Sequence, residues 1–226
     1  MRKINDVIIM AAGRGSRMMP LTNDIPKPMA PIWGSTIIAN GINNLQKEGL
    51  NIHVTVGYKG ALLAEHVITL GVSSILDTSG RGNSWWIYNS LLKNYNGPIF
   101  VLTCDNLVEL DFQALEEEYY SFGEPACMVV PVVPVPELKG DFIFQENNVV
   151  VKLDRNEPSD YYCSVVQIIN PFKVMQITSE VEDFYEVWNQ LIQKKQLYAS
   201  NILPKKWFAI DTVDQLKIIE REPKWK

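Results

Sequence analysis

Residues 11–28 read Ala-Ala-Gly-Arg-Gly-Ser-Arg-Met-Met-Pro-Leu-Thr-Asn-Asp-Ile-Pro-Lys-Pro, directly after the apolar run Val7-Ile8-Ile9-Met10. Gly13 and Gly15 carry no Cβ, so the backbone there can turn tightly and bring successive N–H groups close to an anion. Arg14, Arg17 and Lys27 add full positive charges to the same stretch. A strand that ends in bare amides and cations is suited to cradle a polyphosphate. Lys27 lies between two prolines that fix the backbone on either side, which favours a working side chain over a solvated loop lysine.

Other glycine-rich loops fit these residues less well. A dinucleotide-binding turn needs a third glycine for close helix packing, and Pro20, Pro26 and Pro28 stop a long helix from starting where that fold requires one. A Walker loop needs Gly-Lys-Ser/Thr after Gly15, and none follows. The stretch instead resembles the signature of the nucleotidyltransferases that activate phosphorylated metabolites, roughly A-G-x-G-x-R, then P-L-T, then P-K-P. That resemblance implies a nucleotide site at Ala11, Ala12, Gly13, Arg14, Gly15 and Ser16, with Asn83 and Ser84 of the Gly80–Ser84 loop as further contacts. It makes Arg17 and Lys27 the catalytic cations, Lys27 touching both the α-phosphate and the acceptor phosphate.

The same resemblance picks out two carboxylates. Asp24, Asp77, Asp105 and Asp211 are all expected at loop edges, but only Asp105, in Cys104-Asp105-Asn106, and Asp211, in Ala209-Ile210-Asp211-Thr212, occupy the places where the family carries its metal ligands. Magnesium is a hard cation held by one or two carboxylates plus substrate phosphates, so two aspartates distant in sequence can meet at one ion. Asp211 has a competing reading as the N-cap of the helix that follows it.

These parts imply Mg²⁺-dependent transfer, in which an acceptor phosphate attacks the α-phosphorus of a nucleoside triphosphate and pyrophosphate leaves. The attacking phosphate is already anionic, so no general base is needed and positioning plus charge neutralisation suffice. Asp183-Phe184-Tyr185-Glu186-Val187-Trp188, Trp207-Phe208-Ala209-Ile210-Asp211-Thr212 and Tyr88-Asn89-Ser90-Leu91 resemble the phosphocholine cytidylyltransferase branch. CTP is therefore the expected nucleotide, with a small phosphorylated acceptor such as phosphocholine or phosphoglutamine, used in surface polysaccharide decoration. Trp85, Tyr88, Asp141, Gln167 and Trp188 are the candidate acceptor contacts, and a quaternary ammonium would call for an aromatic cage among them. Three alternatives stand beside this one: a sugar-1-phosphate uridylyl-, thymidylyl- or guanylyltransferase, a non-catalytic nucleotide-binding regulatory module, and a nucleotide-sugar glycosyltransferase.

Positioning these residues requires a particular set of elements. Short apolar runs alternate with helix-period segments, the pattern of an α/β fold with a Rossmann-like, mostly parallel sheet covered by helices on both faces. Expected strands are 7–11, 52–57, 74–77, 99–103 and 126–133, with helices around 37–48, 61–68, 86–93 and 112–120. After Pro131, Pro134 and Pro136 the texture changes. A hairpin at 142–145 and 149–153, a strand at 162–169, a helix at 181–194, a strand at 207–210 and a last helix at 213–220 read as a small β-rich insertion over the active site. The resemblance implies one nucleotidyltransferase domain over 1–226, with 1–130 binding nucleotide and 131–226 binding acceptor and completing the metal site.

Composition sets outer limits. The chain has 226 residues, 46% hydrophobic and 21% charged, enough for a sizeable core. A formal charge of −5 with scattered basic residues gives no general affinity for nucleic acid. No apolar run approaches the roughly 20 residues that cross a bilayer, so a cytoplasmic protein without membrane contact is expected, its oligomeric state left open. Cys104, Cys127 and Cys163 lack metal-site spacing and read as reduced packing residues, and neither His53 nor His66 has a second soft ligand nearby that would suit zinc.

Overall fold

A computed structural model describes residues 3–134 and 140–222; Pro136 lies outside them. The described residues form two compact units that interleave in sequence, one made of 5–80, 102–108 and 207–222, the other of 3–4, 81–101, 109–134 and 140–206. The glycine-rich loop, both candidate metal ligands and the last helix all belong to the first unit.

In that unit Asp6–Met10, Asn51–Val56 and Ser74–Asp77 pair in parallel, with Val7 opposite Ile52 and Val54 opposite Ile75. Val7, Ile8 and Ile9 are all buried, as expected of a strand covered on both faces. The crossover helices are Ile37–Lys47 and Gly60–Thr69. The first is capped by Thr36, whose hydroxyl accepts from the Ala39 amide, and it buries Ile38, Ile42 and Leu45 along one stripe. Gly49, at φ 74°, supplies the left-handed turn that ends it.

Beneath the loop lies a core of Met18, Ala30, Ile32, Ile37, Leu107, Ile210, Leu216 and Ile219. It fastens the segment after the glycines to the last helix, Val213–Arg221, and each fully buried aliphatic side chain contributes about 2 kcal/mol. Arg17 adjoins Met18, and Asp211 adjoins Ile210, so this core sets where both charged groups can go.

The second unit holds residues 99–101 of the strand Ile99–Thr103, followed in sheet order by Tyr162–Ile169, Cys127–Val132, Leu197–Ala199, Val149–Asp154 and Phe142–Glu146. The hairpin pairs Val149 with Glu146, and Tyr162–Ile169 runs antiparallel to both of its main neighbours. The expected parallel character thus belongs to the first unit, while antiparallel pairs dominate here. The helix expected around 86–93 is two pieces, Trp85–Asn89 and a 3₁₀ turn at Leu91–Asn94, because Ser90 leaves the helix in an extended conformation and caps the next turn. Pro171–Ile177 is a helix that periodicity did not announce, set by Asn170 at its N-cap and Pro171 at its first position.

Two glycines with opposite surroundings give a test of this packing. An ideal Cβ on Gly82 would lie 1.9 Å from the Glu182 carbonyl oxygen, whereas one on Gly41, inside the Ile37–Lys47 helix, meets nothing within 4 Å. In urea unfolding, Gly82→Ala should lower stability by about 1–3 kcal/mol and Gly41→Ala should raise it by about 0.5–1 kcal/mol.

Candidate active site

Gly15 is the pivot of the loop. It adopts φ 64° and its missing Cβ leaves room for the stem of Lys27, whose own Cβ would be 2.6 Å from a Cβ at that position. Any other residue here meets both backbone strain and a collision. The Gly15 carbonyl accepts from the Met18 amide at 2.9 Å and from the Thr22 hydroxyl at 3.0 Å, which closes the turn from behind. At its start the Ala11 amide donates to Thr55 Oγ1 at 3.0 Å.

The two aspartates are brought in by a short two-stranded sheet. Asn106–Glu109 pairs with Lys206–Ala209, and the Ile210 amide donates to the Asp105 carbonyl at 2.8 Å. The Cys104 amide donates to the Met10 carbonyl at 3.1 Å, so the turn carrying Asp105 sits at the end of the strand that delivers the glycine loop. Thr212, not Asp211, caps the last helix: its side chain accepts from the Gln215 amide while Gln215 Oε1 accepts from the backbone of Thr212 and Asp211. The Asp211 carboxylate is left available for the site.

Lys27 Nζ donates to Asp105 Oδ2 at 2.7 Å and to Asp211 Oδ1 at 2.9 Å, and Arg17 donates to the same Asp211 oxygen at 2.8 Å. The Lys27 side chain is only 9% exposed, against 68% for Arg17. Burial works against a charged ammonium, but the two carboxylates, Asp105 foremost, outweigh it and hold the Lys27 pKa above its ordinary value. All four residues expected to do the chemistry meet here. Two carboxylates converging on one nitrogen are an all-oxygen donor set, which suits Mg²⁺ and not zinc. Among the described residues no group of three or more His, Cys, Asp or Glu could hold a metal by itself, so any ion here would draw further ligands from water or substrate.

The other candidates, Asn83, Ser84, Trp85, Tyr88, Asp141, Gln167 and Trp188, belong to the second unit. Asn83 Oδ1 accepts from the Phe184 amide and the Ser84 hydroxyl donates to the Val181 carbonyl, so both side chains pin the 81–84 turn to the start of the helix Phe184–Gln193. Gln167 and Trp188 are core residues: Gln167 Oε1 accepts from Trp188 Nε1 at 2.9 Å and from Cys127 Sγ. Tyr88 is buried with its hydroxyl on Thr178, Asp141 is paired with Arg155 at 2.7 Å, and Trp85 has the Arg81 guanidinium over its ring. Each of these five, expected as an acceptor contact, has a partner within the protein. His53 and His66 bond to Ser74 with Asp6 and to Thr36, away from the cluster. The cysteines are free, and burial raises all three thiol pKa values, as suits packing residues.

Tyr58 follows the strand Asn51–Val56 at its carboxyl end, the same kind of position from which the glycine loop leaves its own strand.

Removing the Lys27 ammonium would leave two carboxylates facing one another. Lys27→Met should therefore lower stability at pH 7 by about 2–4 kcal/mol, and adding Asp105→Asn should restore part of that loss in a double-mutant cycle by urea unfolding.

The chain is similar to known proteins. Residues 6–139 match the family model for nucleotidyl transferases. A mannose-1-phosphate guanyltransferase of Debaryomyces hansenii is 25% identical over 214 residues, covering 86% of this chain and 58% of that protein. The catalytic subunit beta of the Drosophila melanogaster mannose-1-phosphate guanylyltransferase is 23% identical, covering 86% and 56%. The chain thus spans less than two thirds of the length of these relatives. A UDP-glucose pyrophosphorylase solved with UDP-glucose superposes with a TM-score of 0.76 at 17% identity, covering 96% of this chain and 97% of that one, which shows the fold to be the α/β fold of nucleotide-sugar transferases. With more than half of its length matched by the family model, the chain belongs to the nucleotidyl transferase family.

Proposed function

We propose that the protein transfers a nucleoside monophosphate from a nucleoside triphosphate to a phosphorylated acceptor, and that the acceptor is a sugar 1-phosphate. The observation that carries the transfer is the convergence of Arg17 and Lys27 on Asp105 and Asp211 in one cluster behind a glycine loop. An acceptor phosphate oxygen forms a bond to the α-phosphorus as the bond to the β-phosphate bridging oxygen breaks, and the electron pair leaves with pyrophosphate. Arg17 and Lys27 neutralise the charge on the phosphates as it builds, and the loop amides orient the triphosphate. Asp105 and Asp211 would hold Mg²⁺, which when bound supplies further neutralisation of phosphate charge. No proton has to be removed from the nucleophile, consistent with both histidines being occupied elsewhere.

Sugar 1-phosphate is preferred to phosphocholine or phosphoglutamine for two reasons. These two relatives are named for mannose 1-phosphate, and of the aromatic side chains expected to meet an acceptor Tyr88 and Trp188 are buried while Trp85 has Arg81 over its ring. The expected preference for CTP loses its support with them, and GTP, UTP or dTTP takes its place.

Pyrophosphate release should be measured with Mg²⁺ and each of GTP, UTP, dTTP and CTP against several sugar 1-phosphates, phosphocholine and phosphoglutamine. Turnover of a sugar 1-phosphate with GTP, UTP or dTTP is expected. Turnover confined to CTP with phosphocholine or phosphoglutamine would return the acceptor to the other branch. Asp105→Ala should cost roughly 10³-fold in rate, and a variant with its rate intact would remove the catalytic assignment.

A further inference from the structure

The ring of Tyr58 is the meeting point of several contacts made by the glycine loop. The Tyr58 amide donates to the Ala12 carbonyl at 2.9 Å, and its hydroxyl donates to the Thr22 carbonyl at 3.0 Å. Thr22 is buried and its own hydroxyl donates to the Gly15 carbonyl at 3.0 Å. Tyr58 is therefore tied directly to the entry of the loop and, through Thr22, to its pivot. Gly57 permits this approach, because a Cβ there would be 2.7 Å from the Ala12 carbonyl oxygen. The same ring holds two cations, the Arg14 guanidinium 5.5 Å and the Lys59 ammonium 5.8 Å from its centroid. Among the described residues neither cation is paired with a carboxylate. With no carboxylate partner, both charges are open to a bound anion.

We infer that Tyr58 is a positioning residue of the triphosphate loop, and that it presents Arg14 and Lys59 together to the outer phosphates that leave as pyrophosphate. The inference deepens the proposed transfer reaction and rests on it for the identity of the anion. Its physical content is independent of base and acceptor: a ring that fixes the loop and two cations, apart from the residues that touch the reacting phosphorus.

The test is calorimetric binding of inorganic tripolyphosphate to the full chain, with nucleotide kinetics alongside. Tyr58→Leu, which removes both the ring and the hydroxyl, should weaken tripolyphosphate binding by about tenfold or more, as should Lys59→Ala. Tyr58→Phe keeps the ring under both cations and should rescue most of the loss, to within about threefold of wild type. In a double-mutant cycle Arg14→Ala and Tyr58→Leu should be less than additive, since each removes the same contact. The effect should fall on the KM for nucleotide more than on kcat. Tyr58→Leu or Lys59→Ala protein that unfolds with a wild-type midpoint yet binds tripolyphosphate as wild type does would overturn the inference, as would wild-type protein that fails to bind it. Wild-type protein that binds tripolyphosphate but turns over no triphosphate with any acceptor would overturn the transfer reaction instead, leaving the binding comparison to judge Tyr58.

Discussion

A lysine ammonium buried between two carboxylates is the constraint around which the first unit is arranged. Lys27 comes from the turn after the glycines, Asp105 from the end of a strand and Asp211 from the approach to the last helix, so holding the three within 2.9 Å of contact requires three remote segments to be fixed at once. Each is fixed by something other than the ion pairs. The stem of Lys27 lies against Gly15, the Asp105 turn is tied to Met10 and Ile210 by backbone bonds, and Thr212 with Gln215 sets the start of the last helix. A buried ion pair that had to organise its own surroundings would be a poor source of stability, since desolvation consumes most of the attraction. Here the scaffold is built by the apolar cluster of Met18, Ile210, Leu216 and Ile219, and the charges are carried on it.

Much of this was legible from residue types. Proline on both sides of Lys27 and glycine at 13 and 15 constrain the backbone whatever surrounds them, so the loop could be read before the fold. The strands Ser74–Asp77, Ile99–Thr103 and Tyr162–Ile169 match the expected runs residue for residue, because short apolar runs are the primary strand signal. What sequence could not decide for Asp211 was whether it capped a helix or faced the site. Asp and Thr are both good caps, and they stand side by side. The decision comes from Gln215: it sits three residues after Thr212, which completes a reciprocal capping box on the threonine.

The side chains expected to meet an acceptor are ambiguous in sequence for a physical reason. Tryptophan and tyrosine are apolar bodies with one polar handle, and sequence does not reveal whether the handle meets a ligand or a neighbour. Trp188 meets Gln167, Tyr88 meets Thr178, and Trp85 meets Arg81. Asn83 and Ser84 are ambiguous in the same way, because short polar side chains in a glycine-rich turn bond to backbone as readily as to a ligand. In this chain they secure the turn at 81–84 against 181–184, where Gly82 passes so close to Glu182 that no Cβ fits.

The contrast between Lys27 and Arg17 bears on how such a site can respond to its substrate. Both cations contact Asp211, yet the first side chain is almost wholly enclosed and the second stands mostly in solvent. An enclosed ammonium bonded to two carboxylates has little freedom and keeps its charge across the physiological range, since its pKa is raised and not lowered. An exposed guanidinium on one carboxylate oxygen is held by an interaction worth only a fraction of a kcal/mol to about 1 kcal/mol, and can exchange that oxygen for a phosphate at small cost. The fixed cation defines where negative charge is tolerated, and the mobile one can follow it. That division of labour follows from burial alone and does not depend on which anion is bound.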